Sequence, residues 1–262
     1  MNIGLSSACF YPNVLTENSI KLINDIGFRS GEIFLNSTSE YEDEFIYKLN
    51  EEKLKHDFNI ESIHCFSPTF EPYLFETYKR RRQDMFKYFK KVCRAARILG
   101  AKFYTFHGMR KFDFVSIDKK FILDIYNSLI YCALEEGIML AQENVSWCMS
   151  SDIDFLNMIK EGCKYPVKFT LDIKQSYKAM VDTQNYIEVM KDDLVNLHIN
   201  DRDENNTCLL PGKGNVDYEK LFCKLREIKY KGNMIIEVYS NNFKLYSELQ
   251  EAKDYLQKNF VK

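Results

Sequence analysis

The sequence predicts an α/β chain folded as a single-domain (β/α)8 TIM barrel over residues 1–262, and three observations predict it. One phrase recurs along the chain: an amphipathic helix, a glycine, then a short β-rich run. Eight such runs begin near Ile3, Gly31, Glu61, Lys102, Ile138, Val167, Leu194 and Met234. Their starts lie 27 to 41 residues apart, room each time for a strand and a crossover helix. The stretch after the first run, SSACFYPN, lacks the G-x-G-x-x-G turn expected of an open doubly wound sheet, the runner-up. A barrel makes a further demand: chemistry belongs at the C-terminal ends of the strands.

In chain order, the run at Ile3 leads to a helix whose N-cap is expected at Thr16 and whose end is marked by Gly27. The run at Gly31 is followed by a helix carrying His56, which reads as solvent-facing. After the run at Glu61, Met85, Phe86, Phe89, Val92, Cys93 and Ala96 recur at three- and four-residue steps, a core-facing stripe ending at Gly100. The run at Lys102 precedes a second stripe, Ile122, Ile125, Leu129, Cys132 and Ala133, ending at Gly137. Gly162 marks the helix end before the run at Val167, and Gly232 the one before Met234. All five glycines are expected in the left-handed position that closes a helix. The last helix is expected from Lys244 to Leu256.

Composition narrows the function. Ten glycines and five prolines in 262 residues are roughly half of average usage, which excludes collagen-like and linker-rich readings. The net charge of −2 disfavours a nucleic-acid partner, because phosphate binding calls for a basic excess. No run approaches 18 consecutive apolar residues, and the N-terminal stretch has no basic n-region, so neither membrane insertion nor export is expected. Eight scattered cysteines without a C-x-x-C pair predict a reducing cytoplasm and no structural zinc.

Reactive residues gather at strand ends. His64 ends the third strand, His107 the fourth and His198 the seventh, leaving only His56 of the four histidines on a helix. Glu143, Asp172 and Glu237 close the fifth, sixth and eighth strands, each after an apolar run. A carboxylate buried there is costly unless paired or bound to a metal. Three oxygen donors and one imidazole on adjacent strands suit a divalent ion, manganese or magnesium first, with cobalt, iron or zinc tolerated. Lys213, between two glycines after strand seven, is a candidate phosphate contact, since barrels often bind phosphate there. An exposed turn lysine is the other reading.

These strand ends resemble the xylose isomerase-like barrels, the sugar phosphate isomerase/epimerase group that also holds inosose dehydratases and endonuclease IV-type repair enzymes. The resemblance spans essentially the whole chain. It rests on Gln142-Glu143-Asn144, Leu171-Asp172, His198 in LHIND, Pro211-Gly212-Lys213-Gly214 and Ile236-Glu237. It implies one divalent metal held by Glu143, Asp172, His198 and Glu237. It further implies that Glu143 and Glu237 shuttle a proton through an enediolate of a small sugar, sugar phosphate or polyol. His64, His107, Lys174 and Gln175 would orient substrate hydroxyls. Two positions depart from the family pattern: Gln175 stands where a histidine is common, and Arg202 lies closer to the strand-seven histidine than the usual arginine. Dehydration of an inositol-type ketone and a non-catalytic sugar-binding barrel stay open, as does a homo-oligomer. An abasic-site endonuclease is disfavoured by the histidine count and the charge.

Overall fold

Each β-rich run, buried almost without interruption and bounded by helix signals, forms one of eight parallel strands. The computed structural model describes residues 1–260. The strands are β1 (Ile3–Ser6), β2 (Ser30–Leu35), β3 (Asn59–Cys65), β4 (Phe103–Phe106), β5 (Met139–Glu143), β6 (Lys168–Asp172), β7 (Leu194–Ile199) and β8 (Asn233–Ile236). Each pairs with the next, and β1 closes on β8 through Ile3↔Met234, Gly4↔Ile235 and Leu5↔Ile236. The result is the expected closed eight-stranded barrel, with every strand start within two residues of its expected position.

The helices are α1 (Thr16–Ile26), α2 (Asp43–Lys55), α3 (Lys79–Leu99), α4 (Lys119–Glu135), α5 (Ile153–Gly162), α6 (Ile173–Ala179), α7 (Thr183–Met190), α8 (Tyr218–Glu227) and α9 (Ser247–Asn259). Both predicted stripes face the core: Phe89, Val92, Cys93 and Ala96 of α3 and Ile122, Leu129, Cys132 and Ala133 of α4 are buried. Burying each large apolar side chain contributes about 1.5–3 kcal/mol. Among the described residues, no helix is long and apolar enough to cross a membrane. All eight cysteines are free thiols.

Several local expectations are corrected. The β6–β7 crossover holds two short helices, because Met180 takes a left-handed conformation (φ 58°) and stops α6. Thr16 is not the N-cap of α1. Leu15 holds that position, and the Thr16 hydroxyl instead donates to Glu40. Gly27, Gly100 and Gly137 do take positive φ, but Gly162 and Gly232 do not; after α8 the left-handed residue is Lys229. The last helix starts three residues later than expected. His56 caps the end of α2 and is largely covered, its Nε2 3.5 Å from Glu52.

Two irregularities in register set which polar side chains meet inside the barrel. β3 gains a residue opposite the Gly31/Glu32 step, and β7 gains one opposite Phe169/Thr170. Beyond the second shift, Asp172 lies directly beside His198. Beyond the first, Glu32 lies beside Ser62.

A candidate metal centre at the barrel mouth

Alternation along the strands decides which side chains enter the barrel. In β5, Gln142 points outward and is consumed by structure: its amide donates to the carbonyls of Phe106, His107 and Glu143, and its Oε1 accepts from Tyr126. Glu143, one residue on, faces inward. Asp172, His198 and Glu237 do the same from β6, β7 and the end of β8. All four are buried, and one donor atom from each lies within 4.8 Å of the others.

Their free atoms are the telling feature. Asp172 Oδ1 accepts from the backbone amides of Lys174 (2.7 Å) and Gln175 (3.4 Å) and from Asn200 Nδ2 (3.0 Å). Asp172 Oδ2, equally buried, accepts no hydrogen bond. His198 Nδ1 is likewise without a hydrogen-bond partner, 3.3 Å from Glu143 Oε1 and 3.2 Å from Glu237 Oε2. A native fold rarely leaves buried polar atoms unmatched. Three carboxylates and an imidazole converging with orphaned atoms fit a divalent cation that prefers mixed oxygen and nitrogen ligands.

Protonation follows from this crowding. Burial pushes the Glu143 carboxyl up, but the charges and hydrogen bonds of His107 and His198 outweigh it and hold it well below the ordinary value. Glu237 is held down in the same way by His198 and Lys174 against its burial. Asp172 goes the other way: burial raises it, opposed by Lys174 and reinforced by the charges of Glu143 and Glu237. Burial alone would lower His198, yet Glu32, Glu237 and Glu143 drive it well above the usual histidine range. His64 is pushed up to about 10, its burial overridden by Glu237 and Glu32. His64 and His198 are therefore held cationic beside these carboxylates.

The other residues singled out from the sequence fall into two groups. Lys174 and Gln175, in the first turn of α6, line the mouth cavity with His64, His107, Glu143 and Glu237. Lys174 Nζ lies 3.2 Å from Asp172 Oδ2 and 3.3 Å from Glu237 Oε2, and those charges override burial to keep it protonated. Gln175 Oε1 accepts from the backbone and hydroxyl of Ser146. His64 and His107 do not point freely at the cavity. His107 Nε2 lies 2.7 Å from His64 Nε2 and 2.8 Å from Glu143 Oε2, and Ser67 holds its Nδ1. His64, His107 and Glu143 thus form a second cluster with metal-ligand spacing, sharing Glu143 with the first.

Lys213 stands apart from the other residues singled out. It is exposed, does not line the cavity, and its ammonium is 3.9 Å from Glu251. The Pro211–Gly214 turn has a structural cause instead. Buried Asp201 accepts the amides of Gly212, Gly214 and Val216, and a Cβ on Gly214 would meet the Arg202 carbonyl oxygen. Arg202 itself stacks on Tyr177, 4.0 Å from the ring centroid.

Sequence reasoning missed three contributors. Glu32 lies inside the barrel, fully buried, in contact with His64 and His198. Glu71, also fully buried, accepts the amides of His107 and Gly108 and so fixes the end of β4. Tyr11, Phe34, Phe66 and Tyr239 join Trp147, which its place just past Glu143 in the sequence already suggests as a sugar face, in an aromatic rim around a cavity of about 390 Å³. The signal for Glu32 was present: an acid inside the apolar run SGEIFL.

Against known proteins, the family model described as xylose isomerase-like TIM barrel matches residues 20–259. The chain belongs to the xylose isomerase-like TIM barrel family. No curated protein sequence matches it. Among solved structures, a D-tagatose 3-epimerase-like protein superposes with a TM-score of 0.80 at 21% identity, covering 98% of each chain. A 3-keto-D-glucoside 4-epimerase from E. coli, in apo form, gives 0.78 at 16% identity, over 98% of this chain and 99% of that one. The IOLI protein with a binding zinc atom gives 0.77 at 17% identity, over 100% and 98%. At such identities these likenesses speak for the fold, and this xylose isomerase-like barrel's chemistry has to be argued from its own mouth.

Proposed function

We propose that this protein is a divalent-metal-dependent isomerase or epimerase of a small neutral sugar or polyol, working by proton transfer at carbon. The observation that carries the reading is the convergence of Glu143, Asp172, His198 and Glu237, with orphaned atoms on Asp172 and His198; two of the four, Glu143 and Glu237, line an aromatic-rimmed cavity. Support comes from two of the similar folds, which bear the names of sugar epimerases, and a third that was solved with zinc. The four strand-end residues would hold the ion. When bound, such a cation polarises a carbonyl and its neighbouring hydroxyl, so that the adjacent C–H becomes acidic.

The protein's own residues do the rest. Glu143 and Glu237 reach in from strands separated by β6 and β7, and both are held ionised. One carboxylate takes the proton from one face of the carbon; the other, having first taken a proton from solvent, delivers it to the opposite face, and the first then gives its proton back to solvent. Lys174 and the amide nitrogen of Gln175 are donors for substrate hydroxyls, and the rim offers flat faces for sugar C–H groups. Lys174 is the one lysine or arginine lining the cavity among the described residues, and Asp172 and Glu237 already engage it. A phosphate would find no free partner, so a neutral sugar fits better than a sugar phosphate.

The test is deuterium uptake at carbon, followed by mass spectrometry in D₂O, over a panel of ketoses, their phosphates and cyclic polyol ketones with manganese present. Uptake into a neutral ketose that is lost in Glu237→Gln is the expected result. Uptake confined to phosphorylated sugars would overturn the neutral-substrate reading. No uptake with any member would count against proton transfer at carbon.

A further inference from the structure

Glu32 is a buried carboxylate with no lysine or arginine within 4 Å among the described residues; its charged neighbours are His64 and His198. Two hydroxyls fix it in place: Ser62 donates to Oε2 at 2.6 Å from β3, and Thr105 donates at 2.8 Å from β4. Neither interaction explains why a carboxylate is there, since an apolar side chain at a buried position is commonly at least as stabilising as an ion pair. Its position relative to His198 does. His198 Nε2 lies 3.2 Å from both Glu32 oxygens, while Nδ1 faces Glu143 and Glu237 without a hydrogen-bond partner.

We infer that Glu32 is a positioning residue that locks His198 in the Nε2–H tautomer, with the Nδ1 lone pair aimed at the cation held by Glu143, Asp172 and Glu237. A carboxylate can only accept, so Nε2 must donate; when a cation joins Glu143 and Glu237, the imidazole gives up its other proton and the lone pair is on Nδ1. The added negative charge also makes the imidazole a better donor to a cation, as carboxylates behind metal-bound histidines generally do. The backbone prepares this arrangement: the register shift at Gly31/Glu32 sets Glu32 beside Ser62, its hydroxyl partner.

This inference rests on the metal-site reading, and its test separates the two. Chelator-treated wild type, Glu32→Gln and Glu32→Leu are titrated with zinc(II) by calorimetry, and the imidazole nitrogens are followed by long-range ¹H–¹⁵N spectra; only four histidines contribute. Wild type should bind zinc with His198 as a single Nε2–H tautomer. Glu32→Leu should bind about 10- to 100-fold more weakly and lose that tautomer. Glu32→Gln, which keeps an acceptor but not the charge, should keep the tautomer with a smaller loss of affinity. Should the leucine variant fail to fold, an unchanged zinc affinity in Glu32→Gln overturns the charge effect. Unchanged affinity and tautomer in Glu32→Leu would refute the positioning role while leaving the metal site intact. A wild type that binds no zinc would remove both.

Discussion

Asp172 shows how a strand end becomes a ligand. One oxygen caps α6 and takes three donors; the other accepts no hydrogen bond and has the Lys174 ammonium 3.2 Å away. An acid closing an apolar run was enough to single out Asp172, Glu143 and Glu237 in the sequence, since burial without a partner is costly there. Glu32 escaped the same reasoning because it sits mid-strand, and the hydroxyls that hold it come from β3 and β4. Lys213 lies away from these residues, and its flanking glycines serve a turn wired to Asp201, which no local pattern reveals. At this scale protons and metal compete. His198 is held protonated well above the usual range without metal, so metal binding should release a proton near neutral pH. Calorimetry in buffers of different ionisation enthalpy measures that proton, and apparent affinity should weaken as pH falls. His64 gives the opposite slope to the metal-free protein. Its raised value means that its stabilisation is complete below about pH 6.5 and is lost as pH climbs through about 10. Chelated protein should therefore lose melting temperature over that window, and the gap to metal-loaded protein should widen. Glu143→Gln or Glu237→Gln should cut turnover by about 10²- to 10⁴-fold, measured on whichever sugar exchanges deuterium.

At the scale of elements, the strands were legible because apolar runs and their spacing survive in one dimension. Helix boundaries were less so. The split between α6 and α7 turns on Met180, a residue with no turn preference of its own, and the start of α1 on a Thr16–Glu40 hydrogen bond that spans 24 residues. The stripe on α3 makes a direct stability forecast. Phe89 is fully buried, so Phe89→Ala should cost about 3–5 kcal/mol in urea unfolding, against roughly ±0.5 for a change at exposed Val115. The loop after β7 offers a separate check. Asp201→Ala leaves the amides of Gly212, Gly214 and Val216 without their acceptor and should cost about 1–3 kcal/mol, with zinc affinity preserved.

Over the whole molecule, one ion would tie together β5, β6, β7 and β8, half of the closed sheet. Anything that binds only the folded barrel stabilises it by about 2.7 kcal/mol at a hundredfold excess over its dissociation constant. Manganese should accordingly raise the melting temperature, and chelation should lower it. The second cluster, His64–His107–Glu143, makes stoichiometry informative: one ion per chain if its histidines serve the substrate, two if they hold metal. His64→Ala and His107→Ala should then spare metal content in the first case and halve it in the second.

The most direct test of the central claim is a calorimetric titration of chelator-treated protein with manganese(II), run side by side on wild type, His198→Ala and His56→Ala. The four-ligand centre predicts saturable binding to wild type and to His56→Ala, and none to His198→Ala. Equal binding by all three, or no binding by wild type, would contradict it.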